Sequence, residues 1–234
     1  MTRSDGTQRH AKSCLTELTL QYKVISMEPN WAADNLQVIR TLMERSTVYR
    51  RALGPIMLAV GLLGIGAAIV GWLIQLGTER SFILYWLGVS LFAVCLSYLM
   101  ARKQALREHE EFWSPPTRRI TQAVMPPLFG GMVLGFFMLG PQADEVHSTW
   151  LLPPLWMILY GCALHAAGFF TPRGMKLFGW GFILSGAGLA AGILISGHKY
   201  PLLYAHGAMG FFFGGFHLAY GAYLHFTEPR KNEA

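Results

Sequence analysis

Residues 52–76 read ALGPIMLAVGLLGIGAAIVGWLIQL, an unbroken run without Asp, Glu, Lys or Arg. A bilayer core about 30 Å thick is crossed by a helix of about 20 mostly apolar residues, and this run exceeds that length. Five more stretches have the same character: 82–100, 120–139, 150–170, 177–195 and 201–226. None carries a formal charge, so each enters hydrocarbon without desolvating one. In lipid the backbone must satisfy its own hydrogen bonds, and a helix is the open-ended way to do so. The sequence therefore predicts an all-α polytopic membrane protein, a six-transmembrane-helix bundle of three hairpins over residues 52–226.

Composition agrees. Of 234 residues, 53% are hydrophobic and only 14% charged, far from the balance of a soluble domain. A net charge of +6 would suggest nucleic acid in a soluble protein, but here the bases sort by side. With the amino terminus inside, seventeen Lys and Arg fall in cytoplasmic segments and only Arg80 and Lys199 outside, as the positive-inside rule requires. Both termini are expected in the cytoplasm and the membrane is expected to be a bacterial-type plasma (inner) membrane. No nucleic acid is expected as a partner. Cys14, Cys95 and Cys162 face no oxidising compartment and have no metal-type spacing. No apolar stretch precedes Ala52 to serve as a cleaved signal, so the first span is expected to direct insertion.

Residues 1–29 read as a flexible cytoplasmic tail. From Asn30, a capping residue, Ala32, Leu36, Ile39 and Met43 recur at helical spacing through residues 30–51. This predicts an amphipathic juxtamembrane helix that sets Arg50 and Arg51 against anionic lipid. The loop 102–119 is charged. Its Pro115-Pro116 pair stops helix continuation, Trp113 suits an interfacial anchor, and Arg118 and Arg119 follow as further lipid or partner contacts. Residues 227–234 form a short cytoplasmic tail. The expected partners are the lipid bilayer itself, a protein bound through these cytoplasmic surfaces, or a second copy packed through Gly-rich helices. Gly188, Gly192 and Ser196 make one small-residue stripe and Gly210 and Gly214 another; intrachain packing is the commoner use of such stripes.

Tyr160-Gly161-Cys162-Ala163-Leu164-His165 matches Tyr220-Gly221-Ala222-Tyr223-Leu224-His225, and a Pro-Arg follows each. If the match is a duplication, the second and third hairpins form a tandem repeat, a device common in transporters.

Besides Cys and Tyr, the ionisable groups at membrane depth are His165 in the fourth span and His206, His217 and His225 in the sixth. Such groups are the first candidates for function. Counting from the span starts sets His165 and His217 at one depth, as a bis-imidazole b-type haem site would need, with Gly161, Gly168, Gly214 and Gly215 giving room. His165, His206 and His217 are likewise the candidate ligands of a metal ion. The favoured reading is that each imidazole hydrogen-bonds a backbone carbonyl or a neighbouring Tyr, Ser or Cys inside the bundle, with His225 reaching the interface. Eleven residues separate His206 from His217, nearly three turns, which puts both on one face of an α-helix.

Ser185-Gly186 and Ala205-His206, followed by Gly210 and Gly214, resemble the Ser-His dyad of rhomboid intramembrane proteases over those few residues. Ile183 replaces the glycine before the serine, and the glycines after His206 are shifted by one. A depth difference of about 9 Å between Ser185 and His206 also opposes the pairing, so no catalytic residue is assigned. Proton- or sodium-coupled carriage commonly uses an intramembrane carboxylate, and none is present. Pro126-Pro127 and Pro153-Pro154 fit helix starts. The reading that results is an accessory, scaffold or regulatory membrane component, with a haem- or metal-binding protein and a small-solute transporter or channel as the alternatives.

Overall fold

The structure, a computed structural model, describes residues 53–109, 112–140, 149–171, 174–196 and 201–227, all within one compact unit, Val48–Ala234. The expected tail 1–29, the expected amphipathic helix with Arg50 and Arg51, and residues 228–234 lie outside the described residues.

Among the described residues the chain is helical and has no strand. Helix α1 is Leu53–Leu73, α2 is Glu79–Arg107 and α3 is Pro115–Phe137. A 3-10 turn, Thr149–Leu151, leads into α4, Leu152–Ala167, and α5 is Met175–Ser196. Five helices are thus long and apolar enough to cross a membrane. The last apolar stretch is α6, Leu203–Met209, a π turn over Gly210–Gly215, and α7, Phe216–Thr227. The backbone is right-handed helical at both joins, with φ −60° and ψ −45° at Met209 and φ −63° and ψ −39° at Phe216. It is one helical run whose hydrogen-bond register changes midway.

Helix ends follow local chemistry. The Thr78 hydroxyl accepts from the Ser81 amide at 3.3 Å, so α2 opens with Glu79 and Arg80 in its first turn, an acid at N1 suiting the helix dipole. The helix continues past the expected end at residue 100, and Arg102, Lys103 and Arg107 lie on helix rather than loop. His109, with φ 54°, turns the chain beyond it. Ser114 is extended (φ −66°, ψ 157°) and Pro115 occupies the first position of α3, where its missing N–H is no loss. That proline pair therefore starts a helix and ends none, since α2 has already stopped at Arg107. Pro153-Pro154 open α4 as expected. Pro126-Pro127 do not open a helix: they lie in the middle of α3.

Close packing rests on glycine. Along α1 and the α6–π–α7 run, successive contacts join Gly71 to His206, Ala68 to Gly210, Ile65 to Gly214, Gly61 to Leu218, Leu58 to Gly221, and Gly54 to Leu224. The descending order on one side against the ascending order on the other makes the pair antiparallel. A Cβ on Gly214 would stand 2.8 Å from the Ile65 amide nitrogen, and one on Gly61 2.7 Å from that of Leu218. Helices α4 and α5 cross in the same way, since a Cβ on Gly161 would meet the Gly179 carbonyl at 2.7 Å and one on Gly186 the Pro154 carbonyl at 2.8 Å. Small residues let backbones approach and gain dispersion contact that lipid cannot replace. Gly161 and Gly221, equivalent in the two matching segments, each face a backbone nitrogen at 2.9 Å, of Ile183 and Leu58.

The two stripes read from sequence separate here. Gly210 and Gly214 pack against α1. Gly188 and Gly192 do not serve packing among the described residues: a Cβ on either meets nothing within 4 Å there, on a side of α5 that is exposed. Gly188→Leu is accordingly expected to change stability in detergent by less than about 0.5 kcal/mol. Gly186→Leu, two residues away, should cost about 1–3 kcal/mol or more through overpacking. Thermal unfolding of the purified variants, read against wild type, checks the contrast.

Two buried clusters form the interior. One joins Phe82, Ile83 and Trp86 to Leu152, Trp156, Ala205 and Met209. The other joins Met157 and Leu164 to Met175, Phe182, Tyr220 and Leu224. Each surrounds one buried histidine.

Candidate functional site

His206 is fully buried. The Trp86 indole N–H donates to its Nδ1 at 3.1 Å. An indole nitrogen only donates, so Nδ1 carries the lone pair and the proton sits on Nε2. That N–H reaches the Leu76 carbonyl at 3.0 Å. The carbonyl lies just past α1, where Gln75 adopts φ 56° and helix-end carbonyls lack intrahelical donors. Gly71 makes room for the ring, since a Cβ there would stand 2.6 Å from Cε1. Phe82 and Tyr85 flank the imidazole with ring centroids at 5.0 and 5.8 Å. The Tyr85 hydroxyl donates to the Ala67 carbonyl at 2.6 Å. One neutral imidazole thus ties α6 to α1 and α2.

His217, also buried, is held in the opposite tautomer. Its Nδ1 lies 2.6 Å from the Phe213 carbonyl, which can only accept, so Nδ1 bears the proton. Nε2 then accepts from the Tyr160 hydroxyl at 2.6 Å. Phe213 belongs to the π turn, where bonding passes from i−4 to i−5, and the imidazole supplies a donor to a carbonyl inside that altered register. Phe178, Tyr160 and Phe182 surround the ring at centroid distances of 5.3, 5.4 and 5.5 Å.

The π turn also decides which way the two histidines face. In an uninterrupted α-helix residues 206 and 217 would lie on one side. Here His206 meets Trp86 of α2, whereas His217 meets Tyr160 of α4 and Phe178 and Phe182 of α5. A π turn takes in about one residue more than an α turn and so rotates the downstream helix by about 100°. Sequence periodicity carries no signal of that insertion beyond the Gly210 to Gly215 segment itself.

His165 stands apart from both. Tyr160, not His165, is level with His217, and His165 lies five residues on, about 7.5 Å further along the helix. It is half-buried, with Phe169 and Trp180 against its ring at 5.6 and 5.8 Å. Its Nδ1 is enclosed without a hydrogen-bond partner among the described residues. Of the four glycines expected to give a haem room, three are packed, Gly161 by α5, Gly214 by α1 and Gly168 by the Lys176 stem, whereas a Cβ on Gly215 meets nothing within 4 Å among the described residues. Among the described residues no three His, Cys, Asp or Glu side chains gather as metal ligands. His225 is exposed beside Phe226. Ser185 is half-buried, and His206 has both nitrogens engaged elsewhere.

Of the other candidate contacts, Trp113 is 58% exposed and lies next to Phe112, which packs edge-on against Tyr98 at 5.0 Å. Arg118 and Arg119 are exposed on the first turns of α3. Cys95 and Cys162 are exposed free thiols on different helices. Trp86 and Tyr160, the partners that fix the two tautomers, were not foreseen. Their signal was that every polar atom at membrane depth needs a partner, but which aromatic supplies it depends on helix pairing. No protein-family model, curated protein or solved structure matches this chain.

Proposed function

We propose that this multi-pass membrane protein is an accessory, scaffold or regulatory component of an inner membrane, built of six spans with the α6–π–α7 run as the sixth and both termini cytoplasmic. The observation that carries the reading is the use of the buried imidazoles. His206 and His217 each commit both nitrogens to protein groups, and in doing so they join α6 to α1 and α2, and α7 to α4. Among the described residues no Asp, Glu, Lys or Arg is fully buried; the one enclosed carboxylate oxygen, Oε2 of Glu79, lies at the first residue of α2 rather than along a span, which argues against a coupled carrier. Haem or metal ligation by His217 through Nε2 would first require displacing the Tyr160 hydroxyl, while the Nδ1–H bond to the Phe213 carbonyl would persist. Duplication of the second and third hairpins belongs to the same reading, supported by the shared packing role of Gly161 and Gly221.

The contact surface in this proposal is the Trp113 loop with Arg118 and Arg119. Chemical cross-linking in native membranes should join the wild-type protein to one defined partner at this loop, and Trp113→Ala with Arg118→Ala should abolish that product while expression and fold persist. A product unaffected by both substitutions contradicts the assignment of the surface. Solute flux in proteoliposomes that His217→Ala abolished would replace the scaffold reading with transport.

A further inference from the structure

Four side chains gather where α4 ends and α5 begins. His165 lies in the last turn of α4 and Phe169 four residues on, in the turn just past its end, and Lys176 and Trp180 are one turn apart on α5. The His165 ring meets Phe169 and Trp180 edge-on, and the Lys176 ammonium sits 3.6 Å over the centre of the Phe169 ring. Gly168 makes this arrangement achievable, because a Cβ there would stand 2.5 Å from Lys176 Cγ and 2.9 Å from its backbone nitrogen. The lysine stem is thereby laid across the end of α4. No carboxylate lies against the ammonium among the described residues.

The cluster is open on its outer side. Phe169 is 64% and Trp180 47% exposed, and Lys176 is exposed. Nδ1 of His165 is enclosed and unpartnered, so the neutral imidazole is least costly with its proton on Nε2, the nitrogen not enclosed, where it is a second donor beside the ammonium. The exposed side of α5 continues from Trp180 through Leu184, Ala187, Gly188 and Ala191, a strip of apolar and small side chains at helical spacing.

We propose that this cluster binds the phosphate headgroup of an anionic phospholipid. Lys176 and the His165 Nε2–H take the phosphate oxygens, Phe169 and Trp180 sit at headgroup depth as interfacial aromatics, and one acyl chain lies along the small-residue strip of α5. A phosphate oxygen fits better than a carbonyl ligand because an ammonium held over the Phe169 ring and an imidazole N–H against the same ring supply both charge and a directed donor. The cluster also differs from a solvated surface lysine, whose stem would be free to move. The proposal stands on membrane insertion alone and does not depend on the scaffold reading.

The test is native mass spectrometry of the full chain in detergent, titrated with equal phosphatidylglycerol and phosphatidylcholine of matched chains. Wild type should retain phosphatidylglycerol preferentially, and Lys176→Ala should lower that preference about fivefold, as expected for one cation at the headgroup. His165→Gln should lower it by less, and Lys103→Ala, on α2, should leave it unchanged. Lys176 is exposed, so its loss should not impair folding, and equal melting temperatures would confirm it. Equal retention of the two lipids, an unchanged preference in both Lys176→Ala and His165→Gln, or full displacement of the lipid by inorganic phosphate would each overturn the proposal.

Discussion

Leucine at position 214 should separate α1 from the α6–π–α7 run and leave little monodisperse protein in detergent. The reason is backbone contact. A Cβ on Gly214 would stand 2.5 Å from Ile65 Cγ1, 2.8 Å from the Ile65 nitrogen and 3.1 Å from the Gly61 carbonyl. Side-chain rotation can move Cγ1, but not the other two atoms, so the helices themselves must part. Overpacking a tight core costs about 1–3 kcal/mol and sometimes more, and here parting also disturbs the contacts at Gly210 and Gly221 on either side. Gly215 is the control, since a Cβ there meets nothing within 4 Å; Gly215→Leu should stay within about 0.5 kcal/mol of wild type. Size-exclusion profiles and thermal unfolding would distinguish them. Equal behaviour of the two leucine variants would mean that α1 does not pack there.

His217→Leu should be the next most damaging change. It strands the Tyr160 hydroxyl and removes a donor from the Phe213 carbonyl, both in an aromatic interior. An unsatisfied buried polar group costs about 1–3 kcal/mol, so a loss of roughly 2–4 kcal/mol is expected. Tyr160→Phe alone leaves only the Nε2 lone pair without a donor and should cost about 1 kcal/mol. Adding Tyr160→Phe to His217→Leu removes the stranded hydroxyl, so the double variant should be more stable than the sum of the single losses implies. Unfolding midpoints for the four proteins give that coupling directly, expected at about 0.5–3 kcal/mol for groups in contact. Strict additivity would show that the two side chains do not interact.

The helices were legible because one property, an uncharged apolar run longer than a bilayer is thick, specifies them without knowledge of neighbours. Their ends were less so. Thr78 and Ser114 set the starts of α2 and α3 through local geometry, and charged Arg102 and Arg107 remain helical because they lie beyond the apolar part of α2, where a helix needs no lipid. The histidines show where sequence reasoning stops. That His165, His206 and His217 matter among polar groups follows from burial alone, but their partners depend on which helices meet. The packing of α1 against the last helical run joins residues more than a hundred positions apart and leaves no short-range pattern. The glycine stripe at Gly188 and Gly192 illustrates the converse. Small residues at helical spacing permit close approach, but only a partner helix makes use of it, and at these positions α5 has none among the described residues.

The buried imidazoles of His206 and His217 are structural links held in fixed and opposite tautomers. Nitrogen NMR of the purified protein with 15N-labelled histidine tests this most directly, with the two interior signals assigned by their loss in His206→Gln and in His217→Gln. The prediction is two neutral interior rings, His206 protonated at Nε2 and His217 at Nδ1. A His217 resonance showing metal or haem ligation, or one matching the tautomer of His206, would contradict the account.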